Sequence, residues 1–253
     1  MSGDRGGHSL AGRTVLVTGG ARRLGAALAD AFHGAGANVV VHYRDSAADA
    51  AALAAALDAR RPGAAALLQG ELRDTAALPD LVARAAANFD GLDILVNNAS
   101  SFYPTPVGEI TEAHWDELVG SNLKAPLFLA QAAVPWLQRR GGLIINMVDI
   151  HARRPLAHHP VYCAAKAGLE MLTYALAREL GPRVRVNGIA PGAILWPEPG
   201  LGEDEKAATL AGIPLGRTGS PGDIAACALY LAREGGYING QVIAVDGGRH
   251  LGF

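Results

Sequence analysis

The sequence predicts an α/β fold built around one parallel sheet. Short runs of aliphatic residues alternate along the chain with longer stretches in which apolar residues recur at helical spacing. Half of the 253 residues are hydrophobic, which is enough for a large core and excludes a disordered chain. We therefore expect a single doubly wound domain, with a seven-stranded parallel sheet and helices on both faces.

The expected strands are short apolar runs at 14–17, 38–42, 64–69, 94–97, 143–148, 184–189 and 242–245. The expected helices, which carry apolar residues at helical spacing, are at 24–34, 47–60, 75–89, 112–139, 161–181 and 221–233. No repeat or long linker interrupts this alternation, so residues 13–253 are predicted to form one domain.

An irregular segment, residues 191–214, is rich in proline and glycine. It follows a predicted strand at the sheet edge where α/β proteins bind ligands, so we interpret it as a substrate-covering loop. A short polar helix is expected inside it, at 203–211. The alternative is an ordinary connector.

Charge and composition exclude several classes of function. The net charge of −2 provides no basic field for nucleic acid or an anionic membrane. No apolar run approaches the roughly 20 residues of a membrane helix. Residues 1–12 lack the apolar core of a secretory signal and predict a flexible N-terminus. Because Cys163 and Cys227 are too few for a disulfide framework, we expect a cytoplasmic protein.

A glycine-rich turn, residues 18–25, follows the first predicted strand. Glycines let a backbone approach a pyrophosphate closely, and the following helix N-terminus stabilises its charge. Gly19 and Gly25 suit this role, whereas Arg23 stands where a middle glycine is usual. Arg22 and Arg23 add positive charge beside the expected phosphates. A plain strand-to-helix turn is the alternative.

The second strand ends close to Arg44, Asp45 and Ser46. At this place an acid favours a free ribose hydroxyl, and an arginine favours a 2′-phosphate. Arg44 comes first and Ser46 adds a hydroxyl, while Asp45 suits the N-cap of the next helix. We therefore predict NADPH as the cofactor. In the alternative interpretation, Arg44 is a solvated surface charge.

Tyr162 and Lys166 are four residues apart in a predicted helix and therefore share one face. An ammonium at about 4 Å from a phenolate gives roughly 4 kcal/mol of attraction at an effective dielectric near 20. Because one pKa unit corresponds to about 1.4 kcal/mol, Lys166 is expected to bring the pKa of Tyr162 towards neutrality. By itself such a pair commonly just covers a helix surface.

Taken together, these motifs resemble the short-chain dehydrogenase/reductase family, in chain order and over residues 13–248. The matching features are the turn at 18–25, Asn97-Asn98-Ala99, Asn122, Tyr162-x-x-x-Lys166, Pro191-Gly192 and the Val-Asp-Gly-Gly run at 245–248. The resemblance implies a Rossmann-type fold and hydride donation from NADPH. It also implies that Tyr162 is the acid, that Lys166 holds the nicotinamide ribose, and that Asn122 positions the lysine, often through water.

At three positions the sequence departs from the common family pattern, and at each of them it resembles pteridine reductases. The bacterial dihydromonapterin/dihydrofolate reductases are a close sister group. Arg23 replaces the middle glycine, Ser100 and its neighbours replace the glycine of Asn-Asn-Ala-Gly, and Asp149 stands where most members have their catalytic serine. This resemblance implies that Phe102 stacks on a pterin, sandwiching it against the nicotinamide. Asp149 would hydrogen-bond Tyr162, stabilise a protonated ring nitrogen or relay a proton. A satisfied acid capping a loop is the alternative for Asp149.

The resulting site prediction has three parts. The catalytic residues are Asp149, Tyr162, Lys166 and Asn122. The cofactor-binding residues are Gly19, Arg22, Arg23, Leu24, Tyr43, Arg44, Ser46, Glu71, Leu72, Asn98, Ala99, Ser100, Tyr162, Lys166, Pro191 and Gly192. The substrate-binding residues are Arg23, Ser100, Phe102, Asp149 and Tyr162.

No metal is expected, because the nearby His151, His158 and His159 lack metal-ligand spacing and are interpreted as rim residues. The resemblance implies a pterin or folate substrate, inhibition by antifolates and a homotetramer. A general carbonyl reductase, such as a 3-oxoacyl thioester reductase, is the alternative. A non-catalytic NADP(H)-sensing protein is a further hypothesis, which the joint presence of Tyr162, Lys166 and Asn122 disfavours.

Overall fold

The computed structural model describes residues 9–196, 200 and 202–252. Within these residues a sheet is formed by β1 (Thr14–Val17), β2 (Asn38–Tyr43), β3 (Ala65–Gln69), β4 (Ile94–Asn97), β5 (Leu143–Met147), β6 (Arg185–Pro191) and β7 (Val242–Val245). The strand order is β3-β2-β1-β4-β5-β6-β7, and all neighbours run parallel. The predicted seven-stranded parallel sheet is confirmed.

Helices cover both faces of this sheet. They are α1 (Arg23–Gly34), α2 (Ala47–Arg60), α3 (Leu78–Ala87), α4 (Glu112–Val119), α5 (Ala125–Leu137), α6 (Pro160–Leu180), α7 (Glu203–Ala211) and α8 (Pro221–Arg233). Val15 and Val17 pack in one core cluster with α1 and α8, whereas Leu16 packs in another with α3 and α5. Since successive strand residues point to opposite faces, this pattern confirms the doubly wound fold.

The segment predicted as one helix at 112–139 is helical from Glu112 to Leu137, but it is not a single α-helix. The structure divides it into α4 and α5, joined by a π-helical turn at Gly120–Lys124. Asn122 lies inside this turn, and its side-chain amide donates to Leu118 O at 2.9 Å. A π-helical turn changes the direction of one side chain without ending the helix, and such turns are frequent at functional sites.

The predicted substrate loop and the predicted flexible N-terminus are only partly covered by the described residues. The short helix expected at 203–211 is present as α7, whereas residues 197–199 and 201 of the predicted substrate loop lie outside the described residues. Residues 1–8 of the predicted flexible N-terminus also lie outside them, and Leu10 is buried in the core. Along the described ranges, no helix is both long and apolar enough to cross a bilayer.

The register of the sheet brings several loops to one edge. Val17, the last residue of β1, pairs with both Val41 and Val96, so β1, β2 and β4 end within two residues of one another. Asn97 pairs with Asn146, which places the loop after β5 alongside them. The strand order reverses between β1 and β4, and in doubly wound folds ligands bind in the crevice at such a point.

Candidate active site

The glycine-rich turn is tightly packed against the start of α1. A Cβ atom at Gly25 would lie 2.1 Å from Gly19 O, so only glycine fits there. Gly19 has a φ of 58°, and Arg23 has a φ of 51°, a left-handed conformation that favours glycine. Arg23 therefore adopts the backbone conformation of the glycine that it replaces, and its side chain adds a cation.

A cleft of about 470 Å³ opens beside this turn, between the loops that follow β1, β2, β3 and β4. Twelve of the predicted cofactor-binding residues line it: Gly19, Arg22, Arg23, Leu24, Tyr43, Arg44, Ser46, Glu71, Leu72, Asn98, Ala99 and Ser100. Gly25, which the sequence also placed at the pyrophosphate, lies in the same lining. The lining further includes residues that the sequence motifs did not indicate as cofactor-binding: Ala21, His42, Asp45, Gly70, Arg73, Ser101 and Ser121.

Asn98 connects two walls of the cleft. Its side-chain amide donates to Thr18 O at 2.9 Å and to Gly19 O at 3.1 Å. In return, the Thr18 hydroxyl accepts from the backbone N–H groups of Asn98 and Ala99. The loop after β4 is thus attached to the glycine-rich turn at residues 18–25, which we call the phosphate turn, and the two are held together as one unit.

Pro191 and Gly192 lie at the end of β6 and are not part of this lining. A Cβ atom at Gly192 would lie 2.5 Å from the Cβ of Asp246, so the loop after β6 packs directly on the chain that follows β7. A contact of Pro191 and Gly192 with the cofactor stays a prediction.

Arg44 is paired with carboxylates at the far end of the cleft. Its Nε donates to Asp45 Oδ2 at 2.6 Å, and its Nη1 lies 3.7 Å from Glu71 Oε2. Gln69 Nε2 donates to Arg44 O at 3.0 Å. Arg44 is therefore an exposed but partly neutralised cation at the place where a 2′-phosphate is expected.

Tyr162 lies in the first turn of α6 and is almost completely buried. Its hydroxyl donates to Asp149 Oδ2 at 2.7 Å. Burial, and next the Asp149 charge, raise the pKa of Tyr162 well above its usual value. The expectation that Lys166 would lower this pKa is wrong, because the group bonded to the phenol is a carboxylate, which stabilises the protonated form.

Lys166 is buried beneath Tyr162, one helical turn further along α6. Its Nζ donates to Met147 O at 2.8 Å and lies 5.6 Å from the centre of the Tyr162 ring. Burial lowers the pKa of Lys166 to about 8, although the Asp149 charge acts to raise it. The lysine is thus close to the phenol, but its ammonium is bonded to a backbone carbonyl.

Asp149 follows β5 and has an extended backbone. Its Oδ1 accepts from the backbone N–H of His151 at 2.8 Å, while its Oδ2 accepts from Tyr162. The carboxylate therefore caps a loop and accepts from the phenol at the same time, while its part in catalysis stays a prediction.

Asn122 holds the segment after β4 next to Tyr162. Its Oδ1 accepts from the Ser100 hydroxyl at 2.6 Å, and its Nδ2 donates to Ser101 O at 2.9 Å. The Ser100 side chain also acts to lower the pKa of the Tyr162 phenol, against the larger effects of burial and of Asp149. Asn122 thereby positions the serine that replaces the usual glycine, and its expected link to Lys166 through water stays a prediction.

Phe102 is half exposed and lies directly at the tyrosine. The ring centres of Phe102 and Tyr162 are 4.8 Å apart with an interplanar angle of 78°, an edge-to-face contact. The His159 ring stacks on Phe102 at 4.7 Å with an interplanar angle of 11°. His159 was expected only at the rim, since sequence spacing does not show that its loop folds onto Phe102.

Arg23 also contacts the segment predicted to cover the substrate. Its Nη2 donates to Trp196 O at 3.0 Å. The phosphate turn and the start of the 191–214 segment thus meet at the same cation. Among the described residues, no group of three or more His, Cys, Asp or Glu side chains is placed to hold a metal ion.

Comparison with known proteins decides the family. A family model described as enoyl-(acyl carrier protein) reductase matches residues 19–250. Pteridine reductase 1 of Leishmania tarentolae is 38% identical over 281 aligned positions, covering 94% of this chain and 96% of the relative. The chain belongs to the short-chain dehydrogenase/reductase family. It is therefore an oxidoreductase of a family that uses NADH or NADPH.

Other relatives of this short-chain dehydrogenase/reductase bear different names. 3β-Hydroxysteroid dehydrogenase 1 of Eggerthella lenta is 37% identical, covering 96% of this chain and 95% of the relative. The 3-oxoacyl-(acyl-carrier-protein) reductase FabG of Chlamydia trachomatis is 35% identical, covering 94% of this chain and 98% of the relative. Because these identities are nearly equal, they do not distinguish one substrate from another.

Proposed function

We propose that this short-chain dehydrogenase/reductase is an NADPH-dependent pteridine reductase, which transfers hydride to a ring C=N bond of pterins and dihydropterins, and of dihydrofolate. The observation that carries the proposal is the arrangement around Tyr162. The phenol is hydrogen-bonded to the carboxylate of Asp149, and the exposed ring of Phe102 stands against it. A flat heterocycle lying along Phe102 would reach the phenol with its ring atoms.

The residues of the cleft fit a dinucleotide. Gly25 leaves no room for a side chain against Gly19, as a turn closely approached by a pyrophosphate requires. Arg22 and Arg23 would hold the phosphates, and Arg44 would pair with the 2′-phosphate. Tyr43, Glu71 and Leu72 would enclose the adenosine. When bound, NADPH supplies the hydride.

The chain itself supplies the proton. Reduction of a C=N bond leaves negative charge on nitrogen, which must be protonated, whereas carbonyl reduction leaves it on oxygen. Tyr162 would donate this proton, because burial and Asp149 both disfavour the phenolate and so keep the phenol protonated. Asp149 can accept a hydrogen bond from a protonated ring nitrogen, which the serine of a carbonyl reductase does less strongly.

A second candidate is reduction of a 3-oxoacyl thioester. It is favoured by the 35% identity to the reductase FabG, whose alignment covers nearly all of both chains. The carboxylate of Asp149 counts against it, because a negative charge beside a developing alkoxide is unfavourable.

Steady-state turnover separates these candidates. Dihydrobiopterin, dihydrofolate and an acetoacetyl thioester are each supplied with NADPH and with NADH. The proposal requires a kcat/KM for a pterin or folate above that for the thioester. Turnover of the thioester alone would reverse the ranking, and tight NADPH binding without any turnover would favour the non-catalytic, NADP(H)-sensing protein.

The proposal extends to inhibitors, assembly and location. Antifolates such as methotrexate carry a flat diaminopteridine and should compete with the pterin. We also propose a cytoplasmic homotetramer, because most short-chain reductases that the chain resembles are tetramers with two-fold axes. Light scattering after size-exclusion chromatography measures the assembly, and an elution mass of one or two chains would contradict it.

A further inference from the structure

His42 is a buried polar residue in a strand of valines. It is the penultimate residue of β2, shares a face with Val40, and is 2% exposed. Its ring Nδ1 accepts from the backbone N–H of Gly19 at 3.1 Å, and its Nε2 lies 3.2 Å from Gly70 O. The backbone oxygen of His42 accepts from Gly20 N at 2.8 Å. One residue therefore bonds the phosphate turn twice and the loop after β3 once.

These contacts define the state of the imidazole. A ring that accepts at Nδ1 and donates at Nε2 is neutral, with its proton on Nε2. Burial lowers the pKa of His42 to about 4, so the ring keeps this form at neutral pH. Nδ1 is consequently available to the Gly19 N–H throughout the working range.

The two loops that His42 joins form opposite walls of the nucleotide cleft. Gly19 lies in the phosphate turn, and Gly70 directly precedes Glu71 and Leu72 in the lining. A Cβ atom at Gly70 would lie 2.2 Å from Leu81 Cδ1, so this loop packs directly on α3. The imidazole thus connects the phosphate turn to the loop after β3, and both contribute to the lining of the same cleft.

We propose that His42 is a positioning residue for the dinucleotide, setting the separation between the phosphate turn and the loop after β3. This inference rests on the cofactor half of the proposed function and not on the pterin. Without the ring acceptor, the Gly19 N–H would be left without a partner, and the turn would have to move to find one.

Four variants test the inference. His42→Leu removes both ring bonds, His42→Asn keeps an acceptor near the Nδ1 position, and His42→Gln keeps a donor near the Nε2 position. Val40→Ala is the matched control, because Val40 is fully buried on the same face of β2 and has an apolar side chain that makes none of these bonds. The Val40→Ala substitution should lower the stability of the fold without removing a hydrogen bond of the phosphate turn.

The measurement is the Kd for NADPH by calorimetry, with thermal unfolding of each variant. The Leu variant should raise Kd by about tenfold, and the Asn and Gln variants by less, since each keeps one bond. Val40→Ala should lower Tm and leave Kd unchanged. In steady-state assays of the His42 variants, the KM for NADPH should rise by a larger factor than kcat falls, whereas Val40→Ala should leave that KM unchanged.

Unchanged Kd in the three His42 variants would overturn the inference, as would a rise in Kd in Val40→Ala equal to that of the Leu variant. If His42→Leu does not fold, the Asn and Gln variants decide by the same criterion. A wild-type protein that binds neither NADPH nor NADH would contradict the proposed function, and this inference with it.

Discussion

The hydroxyl of Tyr162 donates a 2.7 Å hydrogen bond to the carboxylate of Asp149. An ionised carboxylate accepts hydrogen bonds and cannot donate one, so this contact exists only while the phenol keeps its proton. Tyr162 is thus held as a neutral acid rather than as a phenolate. Five consequences of this geometry and of its surroundings can be measured.

Replacing Tyr162 by phenylalanine should remove turnover and leave NADPH binding nearly intact. A positioned acid contributes about 100-fold or more to a rate, and kcat should fall by at least that factor. Tyr174→Phe is the matched control, since this second phenol of α6 bonds Glu170 and Arg153 instead. Undiminished turnover in Tyr162→Phe would mean that another group gives the proton.

Asp149→Asn should lower the pKa of Tyr162. The substitution keeps an oxygen for the His151 N–H, so the loop stays capped, but it removes the charge that disfavours the phenolate. The tyrosinate absorbance should therefore develop at lower pH in this variant. Comparing Asp149→Asn with the double variant that also carries Tyr162→Phe isolates the signal of this tyrosine. A pKa that stays or rises would contradict the assigned role of the carboxylate.

Lys166→Met should stabilise the fold at neutral pH while destroying activity. The pKa of Lys166 is lowered from 10.5 to about 8, so the folded state binds the proton more weakly than the unfolded state does. That shift costs about 3 kcal/mol, offset by about 1 kcal/mol for the bond to Met147 O.

The stability advantage of Lys166→Met over the wild type should depend on pH. Between the two pKa values the unfolded chain carries more protons, so the wild type gains stability as pH rises through this window. The advantage of Lys166→Met should therefore shrink from about pH 7 to about pH 10. Urea unfolding of both proteins at the two pH values measures this, and an advantage that grows with pH would refute it.

Arg44→Ala should weaken NADPH binding and leave NADH binding unchanged. A charge-assisted hydrogen bond contributes about 1.5 to 3 kcal/mol, so the Kd for NADPH should rise by about tenfold to a hundredfold. Asp45→Asn should strengthen NADPH binding, because Asp45 holds the Arg44 Nε at 2.6 Å. Arg60→Ala, which breaks an exposed pair with Asp30, is the control. Equal losses for both dinucleotides would exclude a 2′-phosphate contact.

Much of the fold follows from local sequence, since most of the strands, such as β1 and β4, contain short aliphatic runs that alternate with helical patterns. The cleft lining was predictable for the same reason: glycines and cations that follow strands of one parallel sheet meet at one edge. The π-helical turn at Gly120–Lys124 was not, because helical spacing in a sequence does not distinguish one π-helical turn from the α-helical turns on either side of it.

The parts that sequence missed depend on distant contacts. The raised pKa of Tyr162 comes from burial and from Asp149, which approaches from the loop after a different element. The role of His42 was missed because a histidine ending a strand of valines carries no motif. Its buried position inside an otherwise apolar strand is the signal that could have found it.

Phe102→Ala should weaken pterin binding far more than NADPH binding. Phe102 is 49% exposed and presents its ring beside Tyr162, so its loss removes a stacking surface and not a core contact. Stacking adds about 1 kcal/mol beyond the lost area, so the Kd of methotrexate on the NADPH-loaded protein should rise by about tenfold or more. Trp115→Ala, which removes an exposed aromatic ring on α4, is the control.

His159→Ala should give a smaller increase in the Kd of methotrexate, because His159 stacks on Phe102 and supports its ring. Equal weakening of both ligands in Phe102→Ala would contradict the proposed stacking.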